Sequence, residues 1–156
     1  MKNRHTEKHL RTYKQIFENC SCMHIRKTAR QVTQFYDAML EPVGITSTQL
    51  TLLVTIFLCQ SRTQKEIGEA LAMSASSLTR TLKPLLDHDL IEVEISDNKR
   101  AKQLSLTERG AQTLRLATPL WEQAQEVLVA KIGESDWQDL IEKLANVSQL
   151  PTVIAD

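Results

Sequence analysis

Glycine is scarce in this chain of 156 residues, with four, and proline is no commoner, with four. So few glycines leave little of the close-approach backbone that cofactor and phosphate sites use. The chain has no glycine-rich phosphate loop, no Gly-x-Ser-x-Gly elbow, no metalloprotease helix and no carboxylate pair in a pocket signature, which argues against an enzyme. Cysteine numbers three, an odd count that speaks against a disulfide framework and for a reducing compartment. Long hydrophobic runs are missing as well. The longest, Leu50 to Cys59, is interrupted by threonines and spans about ten residues, against about 20 for a bilayer-spanning helix. No apolar stretch follows the N-terminus, so no secretory signal is expected. The expectation is one cytoplasmic globular domain without cofactor, metal or membrane.

Net charge is also zero, but its distribution is uneven. Residues 1–34 carry eight Lys or Arg against two acids, and residues 111–156 carry three against seven. A nucleic-acid surface needs only local positive potential, so overall neutrality does not exclude one.

Apolar periodicity predicts a first helix from near Leu10 to Leu40, striped by Cys22, Ile25, Ala29, Val32, Tyr36 and Met39, and ended by Pro42 and Gly44. Thr46 with Gln49 forms a capping-box pattern before the central apolar helix. Thr63 with Glu66 repeats that pattern before a short helix, and Ser74 caps a fourth helix reaching about His88. The period then shortens to two: Ile91, Val93 and Ile95 alternate with Glu92 and Glu94, residues 96–99 turn, and Leu104 and Leu106 return. This hairpin has a basic tip of Lys99, Arg100 and Lys102. Thr107 opens a long helix with a seam of Leu114, Ala117, Trp121, Ala124 and Leu128, which Pro119 should kink. Gly133 closes it, and Ser135 with Gln138 is expected to cap a last helix to about Val147.

Helix, short turn, helix and hairpin make a winged helix-turn-helix, so the expected class is mainly α with a small β-hairpin wing. In the fourth helix Leu78, Leu82, Leu85 and Leu86 form one face, while Ser76, Arg80 and Lys83 lie opposite, flanked by Ser77 and Thr79. Arginine can grip guanine with two hydrogen bonds, and hydroxyls can touch base edges or phosphates, so this face suits the major groove of double-stranded DNA. Thr63, Ser74, Ser76, Ser77, Thr79, Arg80, Lys83, Lys99, Arg100 and Lys102 are the candidate contacts.

Across about residues 15–148 the sequence resembles the MarR family of dimeric winged-helix transcription regulators. The segments that carry the likeness run from Val32 to Asp37, Gly44 to Leu50, Leu78 to Leu85 and Lys99 to Lys102, the last continuing through Leu104 to Gly110. The family usually has aspartate two residues before the wing arginine, where this chain has Asn98, next to Asp97. The resemblance implies an intertwined homodimer on a pseudo-palindromic operator, most often as a repressor. Residues 10–45 and 107–148 would dimerise, and 46–106 would form the DNA-binding lobe. Arg100 would enter a minor groove.

Cys20, Cys22 and His24 admit structural, redox and metal readings. On one continuous helix Cys20 and Cys22 diverge by about 200°, which forbids a direct bridge and leaves Cys59, another subunit or a small thiol as partner. The Cys22–Tyr36 spacing is similar to that of the reactive cysteine and its hydrogen-bonding tyrosine in organic-hydroperoxide-sensing members, with Ser47 in place of a second tyrosine. A sensing thiol needs cations beside it, which Arg26 and Lys27 can supply. Cys20 with His24, and His5 with His9, stand one helical turn apart as in metal-ligand pairs, but no spacing completes a tetrahedral set. The resemblance also implies a cavity for small aromatic acids or phenols, near His24, Arg26 and Tyr36. A thiol peroxidase using Cys22 and a non-specific architectural DNA protein are the alternatives.

Overall fold

Local hydrogen bonds set most of the helix boundaries. The computed structural model describes the backbone of residues 2–59, 63–95 and 102–150, and the side chains of 7–59, 63–93 and 103–150. Helix α1 is Lys2–Asn19 and α2 is Ser21–Leu40, followed by a 3-10 turn, Glu41–Val43. Gly44 stops that turn in the left-handed region, at φ 70°. Helix α3 is Ser47–Leu58, α4 Gln64–Ala70 and α5 Ala75–Asp87. Strands β1, Ile91–Ile95, and β2, Lys102–Leu106, pair antiparallel with Ile91 opposite Leu106 and Val93 opposite Leu104. Helix α6, Glu108–Ile132, and α7, Glu134–Ser148, complete the described chain.

The expected caps at the starts of α3, α4, α5 and α6 form. Thr46 accepts from the Gln49 amide and Thr63 from the Glu66 amide, each in a reciprocal capping box. Ser74 accepts from Ser77, and Thr107 from Gly110. Three expectations fail.

The first helix is two: Cys20 takes extended backbone, φ −72° and ψ 105°, and becomes the N-cap of α2. With Nε2 protonated, His24 donates to the Glu18 carbonyl at 2.9 Å and ties the two helices across the break. Continuous periodicity therefore hid a local interruption that a side chain further along stabilises. The angle argued between Cys20 and Cys22 loses its premise, because they no longer share one helix.

Helix α6 runs through Pro119 as one element. One missing amide costs a single hydrogen bond in a 25-residue helix held on both sides. Ser135 does not cap α7: the helix starts one residue earlier, after Gly133, with no side-chain cap. Glu134 and Asp136 in its first turn suit the positive end of the dipole instead. Leu86 and Val93, both read as inward, are exposed. The buried row on α5 is Leu78, Leu82 and Leu85, and along the described hairpin Ile91 and Leu104 are buried while Leu106 packs partly buried against the core.

Helix α3 is central, packing against α2, α5, α6 and β2, while α4 packs on α5 and β2. Leu40, Leu52, Leu53, Ile67, Leu82, Leu85 and Ile91 are fully buried, each stabilising the fold by about 1.5–3 kcal/mol. Helix α2 lies on α6, and α7 on α6. Helix α1 leaves Leu10, Tyr13, Ile16 and Phe17 exposed, Phe17 at 70%. Among the described residues no single helix is long and apolar enough to cross a membrane.

Candidate nucleic-acid interface

Burial of Leu78, Leu82 and Leu85 fixes the rotation of α5, so the opposite face must point outward. Ser76, Thr79, Arg80 and Lys83 are exposed, and Ser77 is half-buried. The turn between α4 and α5 is tight. Ala72 takes φ 50°, and the Met73 amide bonds the Gly68 carbonyl at 2.8 Å. That turn sets the angle at which α5 stands away from α4.

Hydrogen bonding sorts the candidate contacts. The Ser74 hydroxyl accepts the Ser77 amide at 3.2 Å and also meets the Ser76 and Ser77 hydroxyls. Thr79 donates to the Ala75 carbonyl at 2.8 Å, so it offers outward only lone pairs and a methyl group. Lys83 pairs with Asp87 at 2.8 Å, but both ends are exposed. Such a pair is worth about 0–1 kcal/mol and is readily exchanged for a phosphate. Arg80 has no ion-pair partner among the described residues, which leaves its five donors available. Thr63 is bound up in its capping box, donating to Glu66 Oε2 at 2.8 Å, and forms a bridge to Gln103 of β2. Its first role is thus to start α4 beside the wing. Lys99, Arg100 and the Lys102 side chain lie outside the described residues.

A second feature sits between α2, α3 and α6: a cavity of about 510 Å3. Leu50, Val54, Leu114 and Trp121 give it apolar walls, and Tyr36, Ser47, Thr51, Thr55 and Thr118 give it oxygen atoms. The Tyr36 hydroxyl donates to Gln125 Oε1 at 2.6 Å, and burial raises its pKa above the ordinary 10.0. The Ser47 amide donates to Asp37 at 2.6 Å, joining the start of α3 to α2.

The sensing candidates divide. Tyr36 and Ser47 line this cavity; Cys20, Cys22, His24 and Arg26 do not. Placing His24 and Arg26 beside the cavity is corrected by helix rise: twelve residues separate His24 from Tyr36, about 18 Å along α2. Cys22 and Tyr36 likewise stand about 21 Å apart and cannot meet within one protomer. Cys22 is exposed, Cys20 and Cys59 are half-buried, and all three are free thiols. Among the described residues no group of three His, Cys, Asp or Glu is placed to hold a metal. Sequence reasoning missed Thr51, Thr55, Thr118 and Gln125. The threonines at one-turn spacing inside apolar α3 were the available signal.

Comparison with known proteins agrees with the geometry. Residues 45–102 match the MarR family. The chain is 32% identical over 119 residues to a helix-turn-helix-type transcriptional regulator of Staphylococcus aureus (strain Mu50), covering 76% of this chain and 80% of that protein. It is 32% identical over 95 residues to the organic hydroperoxide resistance transcriptional regulator of Bacillus subtilis (strain 168), covering 60% of this chain and 65% of the relative. The M. tuberculosis transcriptional regulator MosR, solved in complex with DNA, superposes with a TM-score of 0.76 at 34% identity, covering 84% of this chain and 95% of that one. The chain belongs to the MarR family: it is a DNA-binding transcription regulator with a winged helix, not an enzyme.

Proposed function

We propose that two copies of this chain bind one pseudo-palindromic operator in the cytoplasm and repress transcription from it. The carrying observation is the outward face of α5, with Ser76, Thr79, Arg80 and Lys83 exposed above a buried leucine row. A two-fold dimer would present two such helices to successive major grooves. Residues 10–45 and 107–148 would form the dimer part and 46–106 the DNA-binding lobe, with Lys99, Arg100 and Lys102 at the minor groove. Exposed Leu10, Tyr13, Ile16 and Phe17 on α1, and Ile141, Leu144 and Val147 on α7, support this pairing, since nothing among the described residues covers them. The opposite charge of the two ends of the chain supports it too.

Binding of a small effector in the cavity between α2, α3 and α6 would release DNA by favouring a spacing of the two lobes that cannot span the operator. A thiol switch at Cys22 is the second reading, favoured by the exposure of that thiol and by the similarity to a hydroperoxide-resistance regulator.

A gel shift against the duplex flanking the gene tests the proposal, with and without oxidant. A regulator should prefer its operator over random duplex by about 10³-fold or more. Equal affinity for both would instead indicate an architectural DNA protein, and monomeric protein at working concentration would remove the dimer.

A further inference from the structure

A smaller cavity, of about 260 Å3, opens where the 3-10 turn, the end of α5 and the first turns of α6 meet. That is below the roughly 300–1,000 Å3 of pockets for drug-sized ligands, and suits an ion or a very small molecule. Gln49, His88, Arg109 and Thr113 are its polar lining, beside the apolar Ile45 and Leu90. Gln49 Oε1 accepts the Thr46 amide at 2.8 Å, so both hydrogens of its Nε2 stay uncommitted. Arg109 and His88 pair with no acid among the described residues. The adjoining acids are held elsewhere: Glu108 pairs with Arg115 at 3.0 Å, and Asp87 with Lys83 at 2.8 Å. Glu41 and Asp89, also near in sequence, do not line the cavity.

Three donor groups from three elements, Gln49 of α3, His88 at the end of α5 and Arg109 of α6, thus line one space with no carboxylate in its wall. Arg109 can offer two parallel hydrogens to an oxyanion, and the imidazole and the Gln49 amide can each add another. A carboxylate has two oxygens, which a guanidinium alone satisfies. A phosphate has further oxygens for the donors on the other walls. We infer that this cavity binds a small free phosphate, inorganic or as a monoester. A DNA phosphate carries the same chemistry but fits the position less well, because His88 stands twelve residues beyond Ser76, about 18 Å further along α5 from the exposed hydroxyls. Gln49 and His88 fall in the proposed DNA-binding lobe and Arg109 in the proposed dimer part, so a phosphate held by all three braces the junction between them. That consequence rests on the proposed division of the chain, whereas the binding does not.

Isothermal titration calorimetry of the full chain with inorganic phosphate at neutral pH, against sodium chloride of equal ionic strength, tests this. Saturable binding with a Kd of about 1 mM or tighter is expected. Arg109→Gln and His88→Ala should each weaken it about fivefold or more. Arg115→Gln removes a cation from the same helix outside the cavity and should leave affinity within about twofold. Circular dichroism confirms that each variant is folded. No saturable binding, affinity unmoved in both cavity variants, or an equal loss in Arg115→Gln overturns the proposal. Prebinding the operator duplex should leave phosphate affinity unchanged. Its loss would assign the cavity to the DNA backbone and overturn the free phosphate. Protein that binds no duplex loses the regulator reading, while the phosphate titration still decides the cavity.

Discussion

A Cβ built on Gly110 would stand 1.8 Å from the carbonyl oxygen of Leu90. The first turn of α6 thus lies directly against the backbone entering β1. Thr107 secures the same junction, its amide reaching Leu90 O at 3.2 Å and its hydroxyl reaching Asp89 O at 2.6 Å. Since the obstacle is backbone and not a movable side chain, Gly110→Ala must displace α6 or the wing. We expect it to destabilise the fold by roughly 3 kcal/mol or more in urea unfolding. A loss below about 1 kcal/mol would mean the junction is loose.

Tyr36 couples stability to pH. Burial raises its pKa, so above about pH 10 the unfolded chain loses the phenolic proton before the folded one does. Its contribution is complete below that point and declines as pH climbs through the raised value. Tyr36→Phe should lose about 0.5–1.5 kcal/mol at neutral pH, with the hydrogen bond to Gln125, and show a shallower alkaline decline. Urea titrations at a series of alkaline pH values check this, and parallel declines would refute it.

On DNA, the two arginines should behave differently. Arg80→Ala is expected to relax preference at particular base positions by about 1–3 kcal/mol each. Arg100→Ala should weaken binding across all sequences and flatten the salt dependence by about one unit per subunit. Affinities measured over a salt series on operator and mutated operators separate the two. A slope unchanged in Arg100→Ala removes that residue from the interface.

Stoichiometric peroxide should release the wild-type protein from its operator and leave Cys22→Ser bound, if the exposed thiol is the switch. Gel shifts before and after oxidation read this directly. Equal release of both proteins would assign the response elsewhere.

The recognition face was legible in the residues because it follows from one short period. Leu78, Leu82 and Leu85 repeat at helical spacing, and whatever lies opposite must face outward. The break at Cys20 was not legible: the apolar stripe continues across it, and the interaction that holds it runs from the His24 ring to Glu18. The cavity was expected from resemblance near His24, Arg26 and Tyr36, and of these only Tyr36 lines it. Most of its wall came from residues that read as helix interior, such as Thr51 and Trp121. Gln125 carried no signal at all, since its partner Tyr36 lies 89 residues away.

By itself the order of amino acids determined where most helices begin and which side of each is apolar, because a cap joins groups only three residues apart and a stripe repeats every turn. Tertiary structure alone decided that Gly110 must touch Leu90, that Tyr36 meets Gln125, and that three helices leave a cavity between them. Those outcomes depend on how distant segments are brought together, and no local hydrogen bond encodes that placement.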